Sequence, residues 1–223
     1  MTAIPIPTKK AYKGAPMEGA VATWYAKHTA KLSAEFSDEA RRIATRLPPS
    51  ARVLEMAPGP GYLAVEIAKL GQYRVTGLDI SHSFVGIARQ HAARAGVEIE
   101  FRQGDAAALP FPDDAFDFIV CRAAFKNFGD PVGALKEMHR TLRPGGEALI
   151  IDMRKDATNS ALDSAVGDMG LGPINALLNR VIFRQLRKRA YSSADFRRMA
   201  EATPFGGAEI VESPMGLDIW LRN

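Results

Sequence analysis

The chain has 223 residues, 47% hydrophobic and 24% charged, with 29 basic and 25 acidic side chains. These proportions exclude long disorder, collagen and coiled coil, and a chain of this length buries about 70% of its unfolded surface without needing a disulfide or a metal. The single cysteine, Cys121, excludes an intrachain disulfide and a multi-cysteine zinc site, and a net charge of +4 does not by itself argue for a nucleic-acid partner.

In chain order, residues 1–16 carry Pro5, Pro7, Gly14 and Pro16 and read as an extended arm. Met17, Val21, Trp24, Tyr25, His28 and Leu32 recur at helical spacing, predicting a helix over 17–32. A second short helix is expected to start at Ser37 or Asp38 and to stop before Pro48-Pro49. Residues 51–57 read as a strand that runs into Pro58-Gly59-Pro60-Gly61 and a helix over 60–70, closed by Gly71. A strand over 73–80 ends near Asp79, and Ser81 caps a helix over 82–95 that Gly96 terminates. Further strands are expected over 97–102, 116–121 and 147–152, with a helix over 131–142 before Arg143-Pro144-Gly145-Gly146. This alternation predicts a parallel sheet covered by helices on both faces.

Beyond Asp152 the alternation breaks. Residues 157–190 read as mostly helical with a stop at Gly170–Pro173, Ser192 caps a helix over 193–202, and 208–213 and 216–222 read as closing strands. One domain is expected, divided into an arm and cap helices (1–49), a core (50–152), a lid insertion (153–190) and a closing helix with two strands (191–223). No signal-peptide pattern lies between Met1 and Tyr12 and no run of 18 apolar residues occurs, so a cytoplasmic protein without a membrane span is expected.

The segment Glu55-Met-Ala57-Pro-Gly59-Pro-Gly61-Tyr-Leu-Ala64 follows a predicted strand and opens a predicted helix. Glycines there permit a tight turn and close approach of a ligand, and Asp79, 18 residues after Gly61, takes the position that faces the ribose of a bound nucleoside in such sheets. A dinucleotide and S-adenosylmethionine both fit this much, as does a plain turn. Glu55 favours the second ligand. A carboxylate four residues before Gly59 compensates an ammonium or sulfonium and repels a pyrophosphate.

The motifs VLEMAPGPGYLA (53–64), VTGLDIS (75–81), GDAAALPFPDDAFDFIVC (104–121) and EMHRTLRPGGEALIIDM (137–153) resemble the class I S-adenosylmethionine-dependent methyltransferases, in the small-molecule group of the ubiquinone and menaquinone C-methyltransferases. The resemblance covers nearly half the chain. It implies an α/β, doubly wound, seven-stranded Rossmann-like sheet with the last strand antiparallel and a helical lid. By the same resemblance S-adenosylmethionine is the cofactor. Glu55, Ala57, Gly59 and Gly61 would line its methionine part, Asp79 would hold the ribose hydroxyls and Ile80 would pack on the adenine. Gly104, Asp105 and Ala106 would reach the adenine edge, and Arg122 would make a backbone contact near the amino-acid end. The departure from the family pattern is Pro58 and Pro60, each of which removes an N–H donor.

The acceptor is expected at the carboxyl ends of the strands. Phe125 and Asn127 after the fourth strand, and Trp24 on the first helix, are candidate substrate contacts; Tyr25 and His28 are candidate catalytic groups. No metal ligand set is expected. A small-molecule acceptor is expected, with no nucleic acid, since neither a base-methylation motif nor an RNA-binding module is present, and a homo-oligomer is compatible with the sequence. Rival readings are an NAD(P)-dependent oxidoreductase, which lacks the Tyr-x-x-x-Lys it needs after strand four, and a cofactor-binding protein that has lost transfer, supported by the two loop prolines. Residues 180–198 hold seven basic residues and one acid, leaving 22 basic against 24 acidic residues elsewhere. The basic character therefore belongs to one segment, read first as a solvated face over a buried stripe.

Overall fold

The computed structural model describes residues 11–14, 17–30 and 33–223. Most of the expected arm and the last two residues of the expected helix 17–32 lie outside the described residues. Among the described residues seven strands form one sheet: β1 (Arg52–Met56), β2 (Arg74–Asp79), β3 (Glu100–Gln103), β4 (Phe116–Arg122), β5 (Leu142–Met153), β6 (Glu209–Glu212) and β7 (Gly216–Arg222). Their order is β3-β2-β1-β4-β5-β7-β6. β1 to β5 pair in parallel, and β7 runs antiparallel between β5 and β6. Strands such as VLEM and FDFIVC are buried on both faces, which requires helices on both sides of the sheet.

On one face Val53, Val75, Phe118 and Val120 meet side chains of α2 (Ser33–Ala44), α3 (Tyr62–Lys69) and α4 (His82–Ala95), among them Ile43, Ile67 and Val85. On the other, Leu54, Met56, Ile119 and Ile150 meet Leu135 and Met138 of α5 (Pro131–Thr141) and Phe196 of α8 (Ser193–Glu201). Each such buried side chain contributes about 1.5–3 kcal/mol. α1 (Gly19–Thr29) lies against α4, and α6 (Asn159–Asp168) pairs with α7 (Pro173–Arg187).

Several element ends differ from expectation for local reasons. α2 begins at Ser33, not Ser37, because the Ser37 hydroxyl bonds inside the helix to the Ser33 carbonyl (3.2 Å) and to Glu66 (2.6 Å). β3 starts at Glu100, not 97, since the Val97 N–H donates to the Ala92 carbonyl at 3.1 Å and closes α4. β5 starts at Leu142, not 147. Leu142 pairs with Phe116 and Glu147 with Phe118, so Arg143–Gly146 is a bulge within the strand, turned at Gly145 with φ 77°. The caps of α4 form as expected: Ser81 Oγ accepts from the Phe84 N–H at 3.1 Å, and Gly96 is left-handed at φ 67°.

The sheet order reverses between β1 and β4, which opens a crevice at the carboxyl ends of these neighbours. The loop after β1 crosses α4 closely at Gly61, where φ is 81° and an added Cβ would lie 2.8 Å from Ala88 Cβ and 3.0 Å from the Phe101 ring. Gly61→Ala is therefore expected to lose about 2–4 kcal/mol, from left-handed strain and overpacking together. A lowered denaturant midpoint at unchanged m-value would register it.

Candidate active site

The glycine loop is closed upon itself. The Ala57 N–H donates to the Leu78 carbonyl (2.7 Å), the Gly59 N–H to Asp79 Oδ2 (2.9 Å) and the Gly61 N–H to the Pro58 carbonyl (3.0 Å). Pro58 and Pro60 have no N–H, so every donor from 57 to 61 is engaged within the protein. The expectation that the prolines remove donors is thus sharpened: the loop's own N–H groups are all committed. Ala57 is left-handed at φ 55°, a conformation that costs a residue with a Cβ about 1–2 kcal/mol. Gly59, also at φ 55°, has no atom within 4 Å of where a Cβ would stand, so its surface is open to approach.

Glu55 is 3% exposed, although the other buried side chains of its strand, Val53, Leu54 and Met56, are apolar. Its carboxyl accepts from the Ala64 N–H in the first turn of α3, while Oε2 has no hydrogen-bond partner. Burial pushes its pKa up to about 8; the Arg122 charge lowers it and the Asp79 charge raises it. A buried acceptor left unpaired carries a desolvation cost of about 1–3 kcal/mol until a donor arrives.

Asp79 ends β2, also buried. Oδ1 accepts from the Ser81 N–H at 2.8 Å and Oδ2 from the Gly59 N–H, and burial, aided by Glu18, raises its pKa to about 6. The Asp79 carbonyl takes the Gly104 N–H at 3.0 Å, which ties the loop after β3 to the end of β2. Ile80 is 40% exposed beside it, its carbonyl held by Gln103 Nε2 at 3.2 Å. Asp105 Oδ1 accepts from the Ala107 N–H at 2.9 Å and braces its own turn, and Ala106 packs against the core. Gly59, Asp79, Ile80, Gln103 and Gly104 are thus linked by hydrogen bonds into one wall, which Asp105 continues along the chain.

Arg122 ends β4. Its guanidinium lies 4.6 Å from the centre of the Phe36 ring and donates to Glu35 at 3.3 Å, and its Nε is buried without a partner. Sequence reasoning gave it a backbone role, whereas its side-chain charge acts on both Glu55 and Tyr25. Tyr25 packs edge-on against Phe84 at 5.7 Å. Burial raises its phenol, so it stays protonated near neutral pH and can donate a hydrogen bond but not serve as a base.

The structure does not bring every candidate to this wall. Trp24 and His28 stack on each other at 5.3 Å on the exposed side of α1. Phe125 has no exposed surface and packs among Phe128, Tyr191 and Phe196. The Asn127 carbonyl accepts from the Lys13 N–H at 2.7 Å, and its Oδ1 is buried without a partner.

Sequence reasoning missed a strap made by residues 11–14. Tyr12 pairs with Phe128 as an antiparallel bridge, Lys13 Nζ donates to the Tyr191 hydroxyl, and Arg189 donates to the Lys13 carbonyl at 2.9 Å. The Tyr12 phenol is raised by burial, and the charges of Arg189 and Asp79 act on it. Glu18 was also missed. Its carboxylate accepts from the His82 (3.0 Å) and Ser83 (2.9 Å) N–H groups at the start of α4, and Ser81 Oγ donates to the Met17 carbonyl at 2.7 Å. A third omission is the buried pair of Lys126 and Asp152, with Nζ 2.7 Å from Oδ1. No motif marks these contacts, because their partners stand 26 to 178 residues apart.

Known proteins match this core. The methyltransferase domain family matches residues 54–150. The demethylmenaquinone methyltransferase of Deinococcus radiodurans is 37% identical over 108 residues, 48% of this chain and 45% of that protein. The ubiquinone/menaquinone biosynthesis C-methyltransferase of Bdellovibrio bacteriovorus is 41% identical over 104 residues, 45% of this chain and 43% of that protein. The matches thus span less than half the length of these relatives. A solved structure from Methanococcus maripaludis, provisionally named an S-adenosyl-L-methionine-dependent methyltransferase, superposes with TM-score 0.73 over 94% of each chain at 22% identity and shares the fold. Residues 54–150 thus match the methyltransferase domain family, this core resembles the quinone C-methyltransferases, and the whole described chain shares the fold of the solved methyltransferase-like structure.

Proposed function

We propose that the chain binds S-adenosylmethionine and transfers its methyl group to a small apolar acceptor. The observation that carries this reading is Glu55, a buried carboxyl with one oxygen unpartnered, beside a loop whose N–H groups are all engaged. A pyrophosphate needs free N–H donors at such a loop and no carboxylate, so the arrangement disfavours a dinucleotide. A ligand that brings an ammonium suits it.

Glu55 would pair with the cofactor's ammonium. Asp79, already aligned by Gly59 and Ser81, keeps lone pairs for the ribose hydroxyls. The exposed side chain of Ile80 offers an apolar surface to the adenine, with Asp105 and Ala106 at its edge. Bound there, the cofactor supplies a methyl carbon already activated by a sulfonium, which leaves the protein mainly alignment and exclusion of water. Tyr25 and the Tyr12 strap would serve those ends by closing over the crevice. Their protonated phenols would donate to an acceptor oxygen. The curated relatives are named for quinone methylation, which supports an aromatic, quinol-like acceptor, and the burial of Phe125 leaves the two tyrosines as the nearer aromatic candidates.

Calorimetry with S-adenosylmethionine and S-adenosylhomocysteine tests the reading directly. Both are expected to bind and NADH is not. Asp79→Asn should weaken both by about 10- to 100-fold, since it removes a charged acceptor and turns an amide N–H₂ toward the Gly59 or Ser81 N–H. Absence of binding by the unaltered chain would end the proposal.

A further inference from the structure

The segment 169–190 contains five cations, Arg180, Arg184, Arg187, Lys188 and Arg189, and no acid. Within it α7 has no buried residue. The expectation of basic residues over a buried apolar stripe holds only in part: Ile182 and Leu186 are half-buried, but the rest of the stripe faces outward. Ile174, Leu177, Leu178 and Val181 are 82%, 62%, 51% and 47% exposed, and Met169 just before them is 44% exposed. At 100° per residue these four, with Lys188, fall on one outward arc of the helix, and Arg184, half-exposed and also within reach of Asp163, stands at the edge of that arc. The inward side is held by α6, where Asp163 takes Arg180 (3.1 Å) and Arg184 (3.7 Å) and Arg187 donates to the Ala157 carbonyl (2.6 Å). Asp168, at the end of α6, is the remaining acid on this helical pair.

We infer that the outward face of α7 docks on an anionic lipid surface, with the aliphatic side chains entering the acyl boundary and Arg184 and Lys188 at the headgroups. An aliphatic arc edged by cations is the composition of a helix that lies in a membrane interface. No helix among the described residues is long and apolar enough to cross a membrane, so this contact lies on the surface. A second copy of the chain fits poorly, since a two-fold contact sets this acid-free cationic face against itself. A protein partner is also disfavoured, as the arc has none of the aromatic anchors that dominate such interfaces.

Co-sedimentation of the full chain with vesicles provides the test. Binding is expected to phosphatidylcholine vesicles containing phosphatidylglycerol, weak or no binding to phosphatidylcholine alone, and release at high salt. Arg184→Gln with Lys188→Gln should reduce binding at least about tenfold, near fivefold for each cation removed. Leu177→Ser with Leu178→Ser should abolish it while circular dichroism stays unchanged, because both side chains are exposed. Failure to bind anionic vesicles, or equal binding to both compositions, overturns the proposal. So does a dimer in sedimentation equilibrium that the serine pair dissociates, which would assign the face to a second copy.

Discussion

Glu55→Gln is expected to bind S-adenosylmethionine about 10- to 100-fold more weakly than the unaltered chain and yet to be the more stable protein at pH 8. Both effects come from one carboxyl. In the free protein Glu55 is buried and has an unpartnered oxygen, and its pKa is pushed from 4.5 to about 8. An ammonium delivered to that oxygen makes a charge-assisted hydrogen bond, worth about 1.5–3 kcal/mol. Binding must also ionise the carboxyl, so near pH 7 it releases about one proton per ligand, and affinity rises as pH approaches 8. Glutamine keeps the shape and removes the charge. Calorimetry in buffers of different ionisation enthalpy reads both quantities. Equal affinity, or unchanged proton release, in Glu55→Gln would remove Glu55 from the site.

The stability effect has the opposite direction for a definite reason. A group whose folded pKa is raised contributes stability that is full below its unfolded pKa and is lost as pH rises through the folded value. For Glu55 that window runs from about 4.5 to about 8, and for Asp79 from about 3.8 to about 6. Glu55→Gln removes the first loss, so it should exceed the unaltered chain at pH 8 by on the order of 2–4 kcal/mol and match it near pH 4. Added S-adenosylhomocysteine should close the gap at pH 8, since the ligand stabilises the carboxylate form.

What the sequence made legible follows from how local each signal is. The Ser81 and Gly96 caps of α4 depend on contacts within five residues, and both form as read. The loop at 57–61 and Asp79 lie where the fingerprint spacing puts them, joined by the bond from Gly59 to Asp79. The left-handed turn at Ala57 was not legible, because alanine gives no sign of a positive φ that glycine would have given. Nor was the bulge at Arg143–Gly146, where Pro-Gly-Gly reads as an end to strand structure although pairing resumes at Glu147. The strap at Tyr12 and the outward apolar arc of α7 depend on what the rest of the chain packs against, and periodicity alone assigns an apolar stripe to the core.

Lys126 and Asp152 form the contact whose loss should damage the fold most. Lys126 is not among the candidate residues that the sequence singles out. In the structure its side chain is 5% exposed and that of Asp152 2%, with Nζ 2.7 Å from Oδ1. Nζ also donates to the Ala123 carbonyl at 2.5 Å, and Asp152 Oδ2 accepts the Lys126 N–H at 2.8 Å. Asp152 lies in β5 and Lys126 in the 3₁₀ turn Phe125–Asn127 after β4, so the pair fastens the turn to the sheet where the crevice begins. Removing one partner strands the other as an uncompensated buried charge, which costs about 3–5 kcal/mol. Lys126→Met should therefore lose that much, while Lys126→Met with Asp152→Leu should recover most of it, because two apolar groups leave no orphan charge. Urea melts of the two single variants and the double variant separate these terms as a thermodynamic cycle. Cofactor affinity in the double variant then tells whether the turn stays in place: an affinity near that of the unaltered chain means packing alone holds it, and a large loss with stability restored means the ion pair sets its position. Equal, additive losses in the cycle would show that the two charges do not depend on each other.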